Sequence, residues 1–97
     1  MTESQLTRQV MKYLRTLPGC FAFKIADRFT VGIPDIYLVH EGRNVWIELK
    51  TAAGKLSEIQ KWTINQIKNC GGEAYVCRTL KEVQDLLIEK DDCCLWR

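Results

Sequence analysis

Histidine occurs once in this chain, as His40, and proline twice, as Pro18 and Pro34, in 97 residues. A lone histidine and the lack of any Cys-x-x-Cys argue against a structural zinc site. The five cysteines, Cys20, Cys70, Cys77, Cys93 and Cys94, are an odd number and make no disulfide framework. They read as reduced thiols of a cytosolic protein, with Cys70 and Cys77 filling the core and Cys93-Cys94 open to oxidation. No apolar run is long enough to span a bilayer, so no membrane partner is expected. The N-terminus carries Glu3 and a polar amphipathic pattern, which is not a secretory signal. Glycine, proline and serine are not clustered, nothing repeats and no linker stands out, so residues 1–97 read as one domain. Strong charge of one sign is missing too. Fourteen Lys and Arg against twelve Asp and Glu leave +2, little for a non-specific nucleic-acid binder.

What is present is an ordered alternation of helical and strand patterns. Thr2 and Gln5 form a capping box ahead of a helix over Glu3 to Leu17. Leu6, Val10, Tyr13, Leu14 and Leu17 give that helix an apolar stripe, and Pro18-Gly19 ends it. Glu3 continues the stripe at its first turn. It points into a cleft at the end of the buried face, or it is simply an acid favoured by the helix dipole. Phe21 to Ile25 reads as a strand. The loop after it carries Phe29, which either packs or stacks on a base. Ser57 and Gln60 make a second capping box, for a helix running to Cys70 and stopping at Gly71-Gly72. Ile59, Trp62, Ile67 and Cys70 mark its expected buried face. Glu73 to Cys77 reads as the last strand. A final helix over Leu80 to Lys90 turns Val83, Leu86 and Leu87 inward.

The centre of the chain carries the chemistry. Asp35 to His40 and Val45 to Lys50 are rich in β-branched and aromatic residues and read as strands. Glu41-Gly42-Arg43-Asn44 between them reads as a tight turn. In the expected antiparallel register His40 faces Val45, Leu38 faces Ile47, Tyr37 faces Glu48 and Asp35 faces Lys50. Alternation then puts Asp35, Tyr37, Glu48 and Lys50 on one face, with Ile36, Leu38, Ile47 and Leu49 on the other. A one-residue slip would part Asp35 from Glu48, and the apolar face resists it. Two carboxylates held close repel unless a cation lies between them. Oxygen donors suit Mg²⁺ or Mn²⁺, and a lysine alongside can orient water or stabilise charge on a phosphate. Gly32 permits a positive φ or close backbone approach, and Pro34 holds Ile33 extended. Together they bring Asp35 to the mouth of its strand. Lys24, Arg28, Lys50, Lys55 and Lys61 lie near these acids in sequence, as a patch for phosphates or as scattered solvated charges.

Gly32-Ile33-Pro34-Asp35, Glu48-Leu49-Lys50 and Gln60, with Glu3 on the first helix, resemble a stand-alone VRR-NUC domain of the PD-(D/E)xK nuclease superfamily. The resemblance runs from Glu3 to the helix around Leu86. It implies an α/β, restriction-endonuclease-like core in the order α-β-β-β-α-β-α, a mixed sheet flanked by helices. It implies metal ligation by Asp35, Glu48 and the Leu49 carbonyl, with Lys50 as the catalytic lysine. Glu3 would add a further acid. Gln60 would support the site, where its local sequence alone favours a helix cap. The expected activity is Mg²⁺- or Mn²⁺-dependent, structure-selective DNA endonucleolysis, leaving 5′-phosphate and 3′-hydroxyl ends. Small members resemble Holliday-junction resolvases, so branched DNA and a homodimer are implied, with Leu95-Trp96 or an edge strand as the interface. A non-cleaving or partner-dependent nucleic-acid-binding module and an RNA-directed nuclease are the alternatives. By family analogy a phage origin would place the protein in the host cytoplasm.

Overall fold

The computed structural model describes residues 1–26 and 29–94, with side chains through residue 88. Its elements are α1 (Glu3–Thr16), β1 (Cys20–Lys24), β2 (Ile36–His40), β3 (Arg43–Leu49), α2 (Glu58–Asn69), β4 (Glu73–Cys77) and α3 (Leu80–Cys94). The strands form one sheet in the order β1-β2-β3-β4. The first two pairings are antiparallel and β3 pairs β4 in parallel. This is the mixed sheet and element order expected from the sequence. Among the described residues, no helix is long and apolar enough to cross a membrane.

The hairpin register differs from the expected one by two residues. His40 pairs with Arg43, Leu38 with Val45 and Ile36 with Ile47. The turn is therefore the two residues Glu41 and Gly42, both at positive φ, 49° and 81°. Paired positive φ values suit the right-handed twist of a hairpin, and glycine adopts them without steric cost. The shift is even, so every side chain keeps its face. Its effect on the site is direct: continuing the register puts Asp35 opposite Glu48 rather than opposite Lys50.

One face of the sheet holds the main core. Leu6, Val10, Met11 and Leu14 of α1 pack with Ile36, Leu38, Val45, Ile47 and Leu49. Cys77 of β4 and Val83 and Leu87 of α3 complete the cluster, with Tyr13, Leu17 and Leu86 partly buried against it. Arg43 is buried at the edge of this face. It pairs with Glu73 at 2.7 Å and donates to the Leu86 carbonyl at 3.2 Å, tying β3 to β4 and α3.

α2 lies against β4 on the opposite face. Its buried residues are Thr63 and Ile64. Ile59 and Trp62, expected to be buried, are 40% and 58% exposed. Cys70, expected in the core, is exposed as well, while Cys77 is buried. Of α2's apolar residues only Ile64 is buried, along with Thr63, because the helix covers only part of the sheet and its flanks extend beyond it. Phe29 is fully exposed. Arg28 and Leu95-Trp96 lie outside the described residues, as do the side chains of Cys93 and Cys94.

Candidate metal centre

Four pieces of backbone meet at one end of the sheet. α1 begins at Glu3 because Thr2 caps it: the Thr2 hydroxyl accepts from the Gln5 amide and the Gln5 side chain accepts from the Thr2 amide. Glu3 is thereby fixed in the first turn. The loop ahead of β2 is held by Gly32 at φ +87°. A Cβ there would lie 3.0 Å from Ile59 Cγ1 and from the Ile59 carbonyl oxygen of α2. Pro34 is fully buried, and the Ile25 amide donates to the Asp35 carbonyl at 2.8 Å. Asp35 thus enters β2 with its backbone already tied to the end of β1. Its Oδ2 accepts from the Leu49 amide at 2.8 Å, which locks the carboxylate against β3.

Glu48 is only 2% exposed. Gln60 Nε2 donates to its Oε2 at 3.3 Å, and Lys50 Nζ lies 3.7 Å from the same oxygen. Gln60 also accepts from the Ser57 amide at 2.9 Å. The two functions that its sequence left as alternatives, cap and site contact, are made by opposite ends of one amide. Carboxylate oxygens of Glu3, Asp35 and Glu48 lie within 4.8 Å of one another. Burial, first, and the adjoining Asp35 charge and hydrogen bond push the Glu48 carboxyl up from 4.5 to about 8. Lys50 opposes that shift and Glu3 adds a little to it.

Glu3 and Asp35 open onto a cleft of about 310 Å³ lined also by Ser4, Thr7, Arg8 and Lys24. Lys24 is thus placed beside the acids. Lys55 is exposed on the loop before α2, and Lys61 is paired with Glu58 at 3.3 Å. Neither lines the cleft. Arg8 was not foreseen. It stands on α1 five residues after Glu3, and no spacing from the acids marks it in the sequence. Arg78 was also missed. Its Nη1 donates to the carbonyls of Thr51 and Gly54 at 2.7 and 2.6 Å, pinning the loop that follows Lys50. No local pattern at Arg78 announces that long-range contact.

The centre is a compact set of oxygen donors with one ammonium beside it. That donor set fits a hard divalent cation. A buried carboxyl whose proton is retained to about 8 by its neighbours is the behaviour expected where a cation would replace that proton.

Comparison with known proteins agrees with this architecture. A solved VRR-NUC domain superposes with a TM-score of 0.76 at 23% identity, covering 92% of this chain and 97% of that one. A second, a VRR-NUC domain protein, gives 0.74 at 18% identity, covering 89% and 84%. No curated protein matches the chain. The family model of the VRR-NUC domain matches residues 2–80, a span that contains Glu3, Asp35, Glu48, Lys50 and Gln60. Over most of its length, then, this chain belongs to the VRR-NUC family of nuclease domains.

Proposed function

We propose that the protein is a divalent-metal-dependent DNA endonuclease selective for nucleic-acid structure, with branched DNA such as four-way junctions as its substrate class. The observation that carries this reading is the convergence of Glu3, Asp35 and Glu48 within 4.8 Å beside Lys50. Asp35, Glu48 and the Leu49 carbonyl would hold Mg²⁺ or Mn²⁺, with Glu3 as an additional acid. When bound, the ion supplies Lewis-acid polarisation of the phosphate and lowers the pKa of water.

The chain's own residues supply the remainder. Lys50 orients the attacking water, or its ammonium stabilises the charge that develops on phosphate oxygen. Water oxygen bonds to phosphorus, the bond from phosphorus to the 3′ oxygen breaks, and that oxygen leaves as a hydroxyl. The 5′ side retains the phosphate. Gln60 holds the Glu48 carboxylate in place, so its function is positioning. Lys24 and Arg8 meet the phosphates flanking the cut, with Lys55 and Lys61 contributing further along the strand.

The test is cleavage of a labelled four-way junction and its matching duplex in Mg²⁺, Mn²⁺ or EDTA, beside Asp35→Ala and Lys50→Ala. Metal-dependent cutting of the junction, lost in both variants, is the expected result. Binding without cutting in either metal would overturn the nuclease reading. Cutting of RNA or unbranched DNA alone would overturn the substrate.

A further inference from the structure

The end of β4 lies beside the strand that carries Glu48 and leads into Lys50. β3 and β4 run parallel, with Leu49 paired to Cys77. β3 ends at Leu49, and the Lys50 amide makes one bond more, to the Cys77 carbonyl at 3.2 Å. Beyond Lys50 the chain turns back, and the Gly54 amide donates to the Thr51 carbonyl at 3.0 Å. Arg78, the residue after Cys77, clamps that turn. Its Nη1 bridges the Thr51 and Gly54 carbonyls at 2.7 and 2.6 Å. Hydrogen bonds from a charged donor are shorter and roughly twice as strong as neutral ones. Arg78 is itself held. Its amide donates to Glu82 Oε1 at 2.8 Å, and the Glu82 amide donates to Thr79 Oγ1 at 3.1 Å. The first turn of α3 thus fixes the backbone from which the guanidinium extends.

The clamped turn lies against the Lys50 side chain. A Cβ at Gly54 would meet Lys50 Cδ at 3.5 Å, an ordinary van der Waals contact. The Lys50 side chain is 14% exposed, and its Nζ stands 3.7 Å from Glu48 Oε2. That separation is beyond hydrogen-bond reach, so the ion pair alone does not fix the ammonium. A lysine stem is long and flexible, and the turn walls it on one side.

We infer that Arg78 is a positioning residue for Lys50: by holding the turn at Thr51 and Gly54 against the lysine stem, it sets where the ammonium stands beside the acids. The contacts are made without metal or DNA; their consequence for cutting rests on the nuclease reading. Misplacing a reacting group by about 1 Å can cost about 100-fold in rate, so a residue that touches no substrate can govern turnover. Arginine suits the position because its guanidinium carries donors and no acceptor, which matches two carbonyls that converge on one nitrogen.

The experiment compares the full chain with Arg78→Leu and Arg78→Lys, each checked for folding by circular dichroism. Leucine removes the donors. Lysine keeps a cation about one bond short of Nη1. The first measurement is NMR relaxation at Lys50 Cε in EDTA without DNA. We expect Lys50 to be more ordered than the exposed Lys55 and Lys68 in wild type. It should loosen to their level in Arg78→Leu and recover in part in Arg78→Lys, with amide shifts of the helices and strands unchanged. The second is cleavage in Mg²⁺. The expected kcat falls about 10- to 100-fold in Arg78→Leu and less in Arg78→Lys, with KM and the half-saturating Mg²⁺ concentration within about two-fold of wild type. Wild-type Lys50 as loose as Lys68, or unchanged order in the folded variants, would overturn the inference. So would a loosened Lys50 with unchanged kcat, or a loss confined to KM or to Mg²⁺ affinity. If leucine unfolds the chain, Arg78→Lys alone decides, with an intermediate loss expected. If wild type cuts nothing in either metal, the nuclease reading fails and the order of Lys50 still decides the clamp.

Discussion

Replacing Glu48 by glutamine should stabilise the metal-free protein while it abolishes cutting. Glu48 is almost completely buried, and its carboxyl holds its proton to about 8, against 4.5 for an ordinary glutamate. The folded protein therefore binds more protons than the unfolded chain between those two values. Stability from this group is highest below 4.5, falls as pH rises toward 8, and stays low above it. At ~1.4 kcal/mol per unit, the full displacement corresponds to roughly 5 kcal/mol at high pH. Glutamine keeps the shape and the hydrogen-bonding groups: its carbonyl can face Lys50 and Gln60 and its amide can face Asp35. It removes the charge and with it the pH-dependent loss.

Even half of that energy would raise the melting temperature of a protein of this size by more than about 10 °C. The assay is calorimetric melting in EDTA from pH 5 to 9. The wild-type curve should fall below that of Glu48→Gln progressively, with the widest gap at pH 8 to 9. Adding Mg²⁺ or Mn²⁺ should narrow the gap by stabilising wild type and leaving the variant unmoved, because binding to the native state alone raises stability. If Glu48→Gln melts below wild type at pH 9 in EDTA, the account of a strained acid cluster is wrong.

Gly32→Ala should cost about 2 kcal/mol, since the residue sits at φ +87° with α2 backbone 3.0 Å from the new Cβ. A urea melt that moves by less than about 0.5 kcal/mol would refute the packing argument. Arg8→Ala and Lys24→Ala should each weaken DNA binding about equally across sequences and reduce the salt slope of log affinity by about 1. An unchanged slope in titrations from 50 to 200 mM salt would remove the cleft from the phosphate path.

The order of elements was legible because each one carries a local signature. The capping boxes at Thr2 and Ser57 and the strand from Glu73 to Cys77 appear where the sequence places them. The shared face of Asp35, Tyr37, Glu48 and Lys50 was legible for a different reason. Side chains alternate with period two, so any even error in register leaves faces intact. The register itself was not legible. Arg43 looked like a turn residue, and only its buried pairing with Glu73 and its hydrogen bond to the Leu86 carbonyl draw it into β3.

By itself the sequence determined the alternation of helices and strands, the acidic and lysine side chains of the site and the face they share. These follow from spacing along one segment. Only packing decided that Asp35 stands opposite Glu48, that the Gln60 amide capping α2 also holds Glu48, and that Trp62 and Cys70 face outward. Each of those depends on how far a distant element reaches over the sheet, and packing between segments sets that distance.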